Sequence, residues 1–162
     1  MTSRVVGRLP GYARTPGARR PPEDPMAVVL NPYLGFRGQA REALEFYASV
    51  LGGTPTISTY GESGMEGDGV MHGQLDVPGG LTLMASDAPP DMEVPSESSV
   101  AISLSGGAED GDTLRRWYEG LSAGGSNVLP LDQAPWGDWF GMFTDRFGTN
   151  WMVNIAGAPQ EG

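Results

Sequence analysis

An internal repeat constrains the fold of this chain more than any other feature of its sequence. Two apolar helix patterns each end in a double glycine, at 52–53 and at 124–125, and the two copies lie about 70 residues apart. A turn signal followed by a strand-like run recurs at a similar spacing, at 76–85 and at 145–155. A duplicated unit of this size predicts two similar modules, and two similar sheets offer a cleft in which a functional site can lie.

The apolar pattern predicts the same order of elements in both halves. The predicted strands are 28–36, 54–60, 71–77 and 81–86 in the first module and 99–104, 127–131, 139–144 and 150–155 in the second, and the predicted helices are 39–51 and 110–122. An acidic, proline-containing stretch, 87–97, connects the two modules, 26–87 and 98–157. We therefore predict the α+β class, with two βαβββ modules that form paired mixed sheets around a cleft in a single domain.

The chain ends and the composition narrow the functional possibilities. Residues 1–25 are rich in proline and arginine, which predicts a disordered, dispensable leader with Met26 as the functional start. Residues 158–162 are predicted to be a short tail.

The formal net charge of −10 disfavours nucleic acid as a partner and favours a cationic or amphipathic small molecule. There is no cysteine for a disulfide or a thiolate. We found no bilayer-spanning run and no secretory signal, so a cytoplasmic protein without a membrane partner is predicted.

Four stretches of the sequence carry a family resemblance. They are 31–36 (NPYLGF), 46–53 (FYASVLGG), 83–87 (LMASD) and 135–154 (PWGDWFGMFTDRFGTNWMVN). In these motifs the chain resembles the vicinal oxygen chelate superfamily of glyoxalases, bleomycin-resistance proteins and extradiol dioxygenases, and above all its PhnB-like branch. The resemblance implies the glyoxalase/bleomycin-resistance fold, a small-molecule cleft and a homodimer. Since one fold serves many chemistries, it does not by itself imply an activity.

The same resemblance bears on metal binding. In metal-using members of the superfamily, His and Glu ligands come from the first and last strand of each module. The matching positions here are Asn31 or Pro32, Leu83, Ala101 and Met152. None of these offers the charged or imidazole donors that a divalent ion requires. We therefore expect no metal and no other cofactor.

Strand alternation and the resemblance together predict the residues that line the cleft. The predicted ligand-binding residues are Asn31, Tyr33, Leu83, Ala101, Ser103, Trp136, Asn150, Met152 and Asn154. For Trp136 and its neighbour Trp139, a place in the core or in a dimer interface is an equally good interpretation. No catalytic residue is assigned.

The single histidine admits two interpretations. Alternation places His72 on one face with Gln74 and Asp76, where it could form an acid–base couple or a substitute metal pair. The interpretation that we favour is a partly exposed histidine on a strand, without a chemical role.

We therefore predict a metal-independent small-molecule-binding protein that acts by ligand sequestration, as in bleomycin resistance. The alternative is a lyase, isomerase or dioxygenase of the same superfamily with a relocated metal site.

Overall fold

The computed structural model describes residues 28–157, so the predicted leader and tail lie outside the described residues. The first module consists of β1 (Tyr33–Phe36), α1 (Ala40–Leu51), β2 (Pro55–Thr59), β3 (Val70–Val77) and β4 (Leu81–Asp87). The second consists of β5 (Ile102–Gly106), α2 (Gly111–Ser122), β6 (Ser126–Gln133), β7 (Trp139–Thr144) and β8 (Asn150–Ile155). Short 3₁₀ turns occupy Gly61–Ser63 and Ala108–Asp110. None of the helices described is long and apolar enough to cross a membrane.

The two modules form two four-stranded mixed sheets of identical topology. Their strand orders are β1-β4-β3-β2 and β5-β8-β7-β6. In each sheet the first strand runs parallel to the fourth, because a helix-containing crossover separates them in the chain, and the remaining neighbours are antiparallel. The α+β class and the duplicated βαβββ order predicted from the sequence are therefore confirmed.

The double glycine after α1 has a physical explanation. The apolar face of α1 is buried, and the helix ends where Gly52 and Gly53 take φ values of 94° and 86°. A Cβ on Gly53 would also collide with the backbone carbonyl oxygen of Asp76. Glycine is needed there both for the positive φ and for the close approach of strand β3.

One buried carboxylate joins the two modules. Asp145, which follows β7, accepts a hydrogen bond at 2.6 Å from the Tyr47 hydroxyl of α1 and one at 2.9 Å from Nε1 of Trp151. Its other oxygen accepts the backbone N–H groups of Phe147 and Thr149. Burial first, and then the charge of Asp145, raise the pKa of Tyr47 above its ordinary value. The carboxylate is thus fully paired, and it fixes the second sheet against the first helix.

A second buried carboxylate organises the first module. Asp87, at the end of β4, accepts the backbone N–H of Ala40 at the start of α1 at 3.0 Å and that of Val70 at the start of β3 at 2.9 Å. It therefore acts as a remote cap for α1, whose own N-cap residue, Gln39, makes no side-chain capping bond. Both buried aspartates have structural partners.

Two strands begin three or more residues later than predicted, and the other strand boundaries differ from the prediction by at most two residues. The first strand begins at Tyr33, because its partner β4 pairs with it only from Tyr33 to Phe36. The fifth begins at Ile102, three residues later than predicted. Just before it, the side-chain amide of Asn150 donates to the carbonyl oxygen of Ser98 at 2.9 Å, and the chain follows a loop there instead of extending the sheet.

Candidate functional site

Each sheet has one face packed on its helix and one face without a helix, which we call the helix-free face. On the helix-free face of the first sheet, alternation places Tyr33, His72, Gln74, Asp76, Thr82, Met84 and Ser86. On that of the second sheet it places Ser103, Ser105, Leu129, Asp132, Phe140, Met142, Asn150, Met152 and Asn154. These faces are the candidate functional site.

Five of the predicted ligand-binding residues lie on these faces: Tyr33, Ser103, Asn150, Met152 and Asn154. Asn31 and Ala101 are half-buried; Ala101 immediately precedes β5, and Asn31 lies two residues before β1. On the second sheet, Ser103, Asn150, Met152 and Asn154 thus share one face, and their role in ligand binding stays a prediction.

Two of the predicted residues do not lie there. Leu83 is 5% exposed and packs in the core on the helix side, and its neighbour Met84 takes the position on the helix-free face. The register carried over from the family is therefore wrong by one residue at this strand. Trp136 is 67% exposed in the turn between β6 and β7, outside both sheets. Trp139 lies on the helix side of β7, opposite Ile155 of β8.

Two separate groups of polar contacts lie on the helix-free face of the first sheet. The hydroxyl of Tyr33 lies 3.2 Å from Nδ1 of His72, and the two rings are tilted with centroids 5.8 Å apart. Asp76 accepts hydrogen bonds from the amide of Gln74 at 3.0 Å and from the hydroxyl of Thr82 at 2.9 Å. The Tyr33–His72 pair is therefore available to a ligand, while Asp76 already has two partners.

The helix-free face of the second sheet is more apolar. The strand register aligns Ser103, Met152, Met142 and Leu129 in one row across the sheet. Met142 is 38% exposed and Leu129 is 48% exposed. Met142 was not among the ligand-binding residues predicted from the sequence. The turn at 145–148 sets the pairing of Met142 with Met152 and could have identified it. An exposed row of methionines forms an adaptable apolar surface.

Hydrogen bonds order the polar residues at the border of this row. Asn150 accepts from the hydroxyl of Thr144 at 2.8 Å, and the amide of Asn154 donates to Asp138 at 3.2 Å. The backbone N–H of Gly157 and the amide of Asn154 lower the pKa of Asp138 below its ordinary value, so this carboxyl is ionised at neutral pH.

The charged residues of the sheets are all acidic. The eight strands contain Asp76, Asp87 and Asp132 and no arginine or lysine. Asp87 is buried and paired, so Asp76 and Asp132 supply the strand charges on the helix-free faces. Within residues 31–157, the arginines lie in helices and turns. The electrostatic potential of the faces therefore favours a cation.

The donor set does not fit a metal centre of the type found in metal-using relatives. Among residues 28–157, no three His, Cys, Asp or Glu side chains come close enough to hold a metal ion. The first and last strands of each module, β1, β4, β5 and β8, carry tyrosine, methionine, serine and amide side chains on their helix-free faces. A hard divalent ion would find no set of charged or imidazole ligands on these faces.

Comparison with known proteins identifies the family. The family model described as the glyoxalase/bleomycin resistance protein/dioxygenase superfamily matches residues 30–153. The chain belongs to this superfamily. The resemblance inferred from the sequence motifs is thus confirmed, and the duplicated βαβββ sheets described above are the superfamily fold.

Members of the superfamily with related sequences cover most of the chain. YjdN of Escherichia coli (strain K12) is 28% identical over 144 residues, which is 79% of this chain and 95% of YjdN. The crystal structure of PA1353 from Pseudomonas aeruginosa is 39% identical, with a TM-score of 0.70 over 80% of this chain and 98% of that one. A PhnB protein from Bacillus cereus is 24% identical, with a TM-score of 0.63 over 78% of this chain and 98% of that one. The last of these supports the fold alone.

Proposed function

We propose that this chain binds a cationic, amphipathic small molecule on its helix-free faces without a metal ion, and that it acts by sequestering this ligand. The observation that carries the proposal is the residue composition of those faces. Tyr33, the methionine row and the neutral side chains around them combine apolar surface with a few polar groups, which is the usual composition of a small-molecule site. The charged strand residues of these faces, Asp76 and Asp132, are both negative, and they therefore favour a cationic ligand.

Two further features support an amphipathic ligand. Tyr33 is 53% exposed, and its ring can receive a cation on its face. The thioethers of Met142 and Met152 can adjust their rotamers to an irregular apolar group. Together these residues provide one surface for the charged end of a ligand and another for its apolar part.

We also propose that the protein is a homodimer in which a second copy covers the helix-free faces. In the described part of the chain, no hydrogen bond or ring contact joins the helix-free face of the first sheet to that of the second, whereas Tyr47 and Asp145 join the modules on the helix side. A second copy would bury the exposed Leu129 and Met142 and enclose a bound ligand. Light scattering after gel filtration should give twice the chain mass of 17.1 kDa. A monomer at micromolar concentration would contradict this part of the proposal.

Thermal unfolding in the presence of ligand tests the binding proposal. Metal-free bleomycin and benzyltrimethylammonium serve as the two cationic probes, and benzyl alcohol serves as a neutral one. At a ligand concentration of 100 times Kd, binding stabilises the native state by about 2.7 kcal/mol, which raises Tm by several degrees for a domain of this size. Absence of any shift with both cationic probes, or an equal shift with benzyl alcohol, would reject a cation-selective site.

A matched pair of variants locates the site. Met142→Arg places a positive charge in the methionine row, whereas Met92→Arg places it on a residue that is 58% exposed in the connector between the modules. The first substitution should abolish the ligand-induced rise in Tm, and the second should leave it unchanged. Equal effects of the two variants would show that the ligand responds to net charge alone.

A second candidate function rests on the contact between Tyr33 and His72. A tyrosine hydroxyl within 3.2 Å of an imidazole nitrogen can transfer a proton to or from a bound substrate, so an enzyme of the same superfamily is the alternative. Metal analysis of protein purified without chelator separates the two functions. Stoichiometric iron, manganese, nickel or zinc that disappears in His72→Ala would favour the enzyme, and metal-free protein with unaltered ligand binding in that variant would favour sequestration.

A further inference from the structure

A separate cavity lies on the helix side of the second sheet, where α2 begins. Its volume is about 260 Å³, and its walls include Ala108, Arg115, Gln133, Trp139, Ile155 and Ala156. None of these residues belongs to the helix-free faces. The apolar part of the wall comes from an indole ring and aliphatic side chains, and Arg115 is the charged residue among those that line it.

Stacking orients the guanidinium of Arg115. Its central carbon lies 4.9 Å from the centre of the Trp139 ring. It also lies close to Gly111, where an added Cβ would be 2.8 Å from Nη1. Stacking occupies the flat surface of a guanidinium and leaves its N–H edge free, and that edge matches the two oxygens of a carboxylate. Among the described residues, no hydrogen bond or ion pair uses the guanidinium of Arg115.

None of the acids near the start of α2 is among the residues that line the cavity. The carboxylate of Glu109 lies against Gly107, and the side chain of Asp110 lies against Gly106. Asp138 accepts hydrogen bonds from Gly157 and Asn154. The two remaining acids nearby, Asp112 on the first turn of α2 and Asp132 next to Gln133, are exposed. Arg115 is therefore the charged side chain that a ligand in the cavity would meet.

The start of α2 lies beside the cavity, with Asp110 at its N-cap and Asp112 in its first turn. Arg115 lies in the second turn of this twelve-residue helix, and Asp110 at the N-cap position makes no side-chain capping bond. The positive end of the helix dipole and the guanidinium thus lie beside the same cavity. A stacked arginine in a cavity with apolar walls is the arrangement that binds an anionic group attached to an apolar body.

We propose that this cavity binds a small aromatic or aliphatic monocarboxylate. The carboxylate pairs with the N–H edge of Arg115, and the apolar body lies against Trp139 and Ile155. The cavity is somewhat smaller than the roughly 300–1,000 Å³ typical of sites for drug-sized ligands, which restricts the ligand to about one ring and its carboxylate. This binding is independent of the ligand proposed for the helix-free faces.

Benzoate titration of the full-length chain, followed by the indole N–H signals in an NMR spectrum, tests this inference. Benzoate should shift the indole signal of Trp139, which is assigned with a Trp139→Phe sample. Benzamide has the same shape without the charge and should bind about tenfold or more weakly. Absence of a Trp139 shift at millimolar benzoate, or equal affinity for benzamide, would overturn the proposal.

Adjacent arginines provide a matched pair of variants. Arg115→Gln should weaken benzoate binding about tenfold or more. Arg116→Gln should leave binding unchanged, because Arg116 is exposed and its guanidinium donates to Thr113. Arg115→Lys keeps the charge but loses the planar fork and should have intermediate affinity. Unchanged affinity in Arg115→Gln, or an equal loss in Arg116→Gln, would refute a role for Arg115.

A third variant covers the case in which Arg115→Gln unfolds. Ala108→Leu fills part of the cavity from an exposed residue and leaves the guanidinium intact. It should abolish the benzoate-induced shift of Trp139 while its thermal unfolding stays close to that of the unmodified chain. Full benzoate binding by a folded Ala108→Leu protein would place the ligand elsewhere and overturn the proposal.

Discussion

Removal of the Tyr47 hydroxyl is the most direct test of how the two modules are joined. The side chain of Tyr47 is buried, and its hydroxyl donates to Asp145 at 2.6 Å and accepts from the hydroxyl of Thr149 at 3.1 Å. Tyr47→Phe keeps the ring and its packing against Trp151, so the substitution removes the hydrogen bonds and leaves the apolar contacts in place. Any loss of stability then reports on the polar contact between the modules.

The expected magnitude follows from the partners that remain. A hydrogen bond to a charged group contributes about 1.5–3 kcal/mol, and one between neutral groups about 0.5–1.5 kcal/mol. After the substitution, Asp145 still accepts hydrogen bonds from Trp151, Phe147 and Thr149. Because the carboxylate keeps these three donors, we expect a loss of about 2–3 kcal/mol, which is less than the 3–5 kcal/mol typical of an unpaired buried charge.

Urea unfolding of two Tyr→Phe variants provides the measurement and its control. Tyr60 donates at 2.7 Å to a neutral acceptor, the backbone carbonyl oxygen of Asp87, and its replacement by Phe should cost about 1 kcal/mol. Tyr47→Phe should lower the free energy of unfolding by clearly more than Tyr60→Phe does. Equal losses in the two variants, or no loss for Tyr47→Phe, would refute the inference that a charge-assisted contact joins the modules.

Three further predictions rest on individual contacts. The pKa of Tyr47 is raised above its ordinary value of 10.0. The stability that the neutral Tyr47 hydroxyl contributes is therefore complete below that pH and is lost as the pH rises above it. Urea unfolding between about pH 9 and 11 should show a smaller alkaline loss of stability in Tyr47→Phe. Gly53→Ala should cost about 1–3 kcal/mol because a Cβ there meets the carbonyl of Asp76, whereas Gly79→Ala, with a similar positive φ and open space, should cost less; thermal unfolding compares them. Asp87→Ala leaves two backbone N–H groups without their acceptor and should cost about 3 kcal/mol in urea unfolding, and a loss below about 1 kcal/mol would argue against its capping role.

Local patterns in the sequence were sufficient for most of the fold. Strands β7 and β8 have the predicted bounds, and α1 starts one residue after its predicted start, since apolar spacing and glycine punctuation are local properties. The first strand was predicted too long because β4 pairs with it in register only from Tyr33 to Phe36. Strand length in a sheet depends on the neighbouring strand, which no local window contains.

The misplacement of Leu83 has a different cause. Its position was carried over from the family, although the alternation in β4, with Leu83 and Ala85 against Met84 and Ser86, already indicates that the more apolar pair faces the helix. The same rule placed the residues of β8 correctly.

The contacts between residues far apart in the chain could not be predicted from the sequence. Tyr47 and Asp145 are 98 residues apart in the chain, and nothing in the pattern around either residue indicates that they meet. The stacking of Arg115 on Trp139 brings together an arginine and a tryptophan from different elements. Such pairs depend on how the helices dock on the sheets.

The shared carboxylate also determines how the protein could be divided. A chain cleaved within the connector between β4 and β5 would leave Tyr47 on one fragment and Asp145 on the other, so that each fragment lacks half of this buried contact. The fragments should therefore associate as complementary halves that fold on each other, much as in split-reporter systems, and neither half should behave as an autonomous domain. The two modules thus share one architecture and depend on each other structurally.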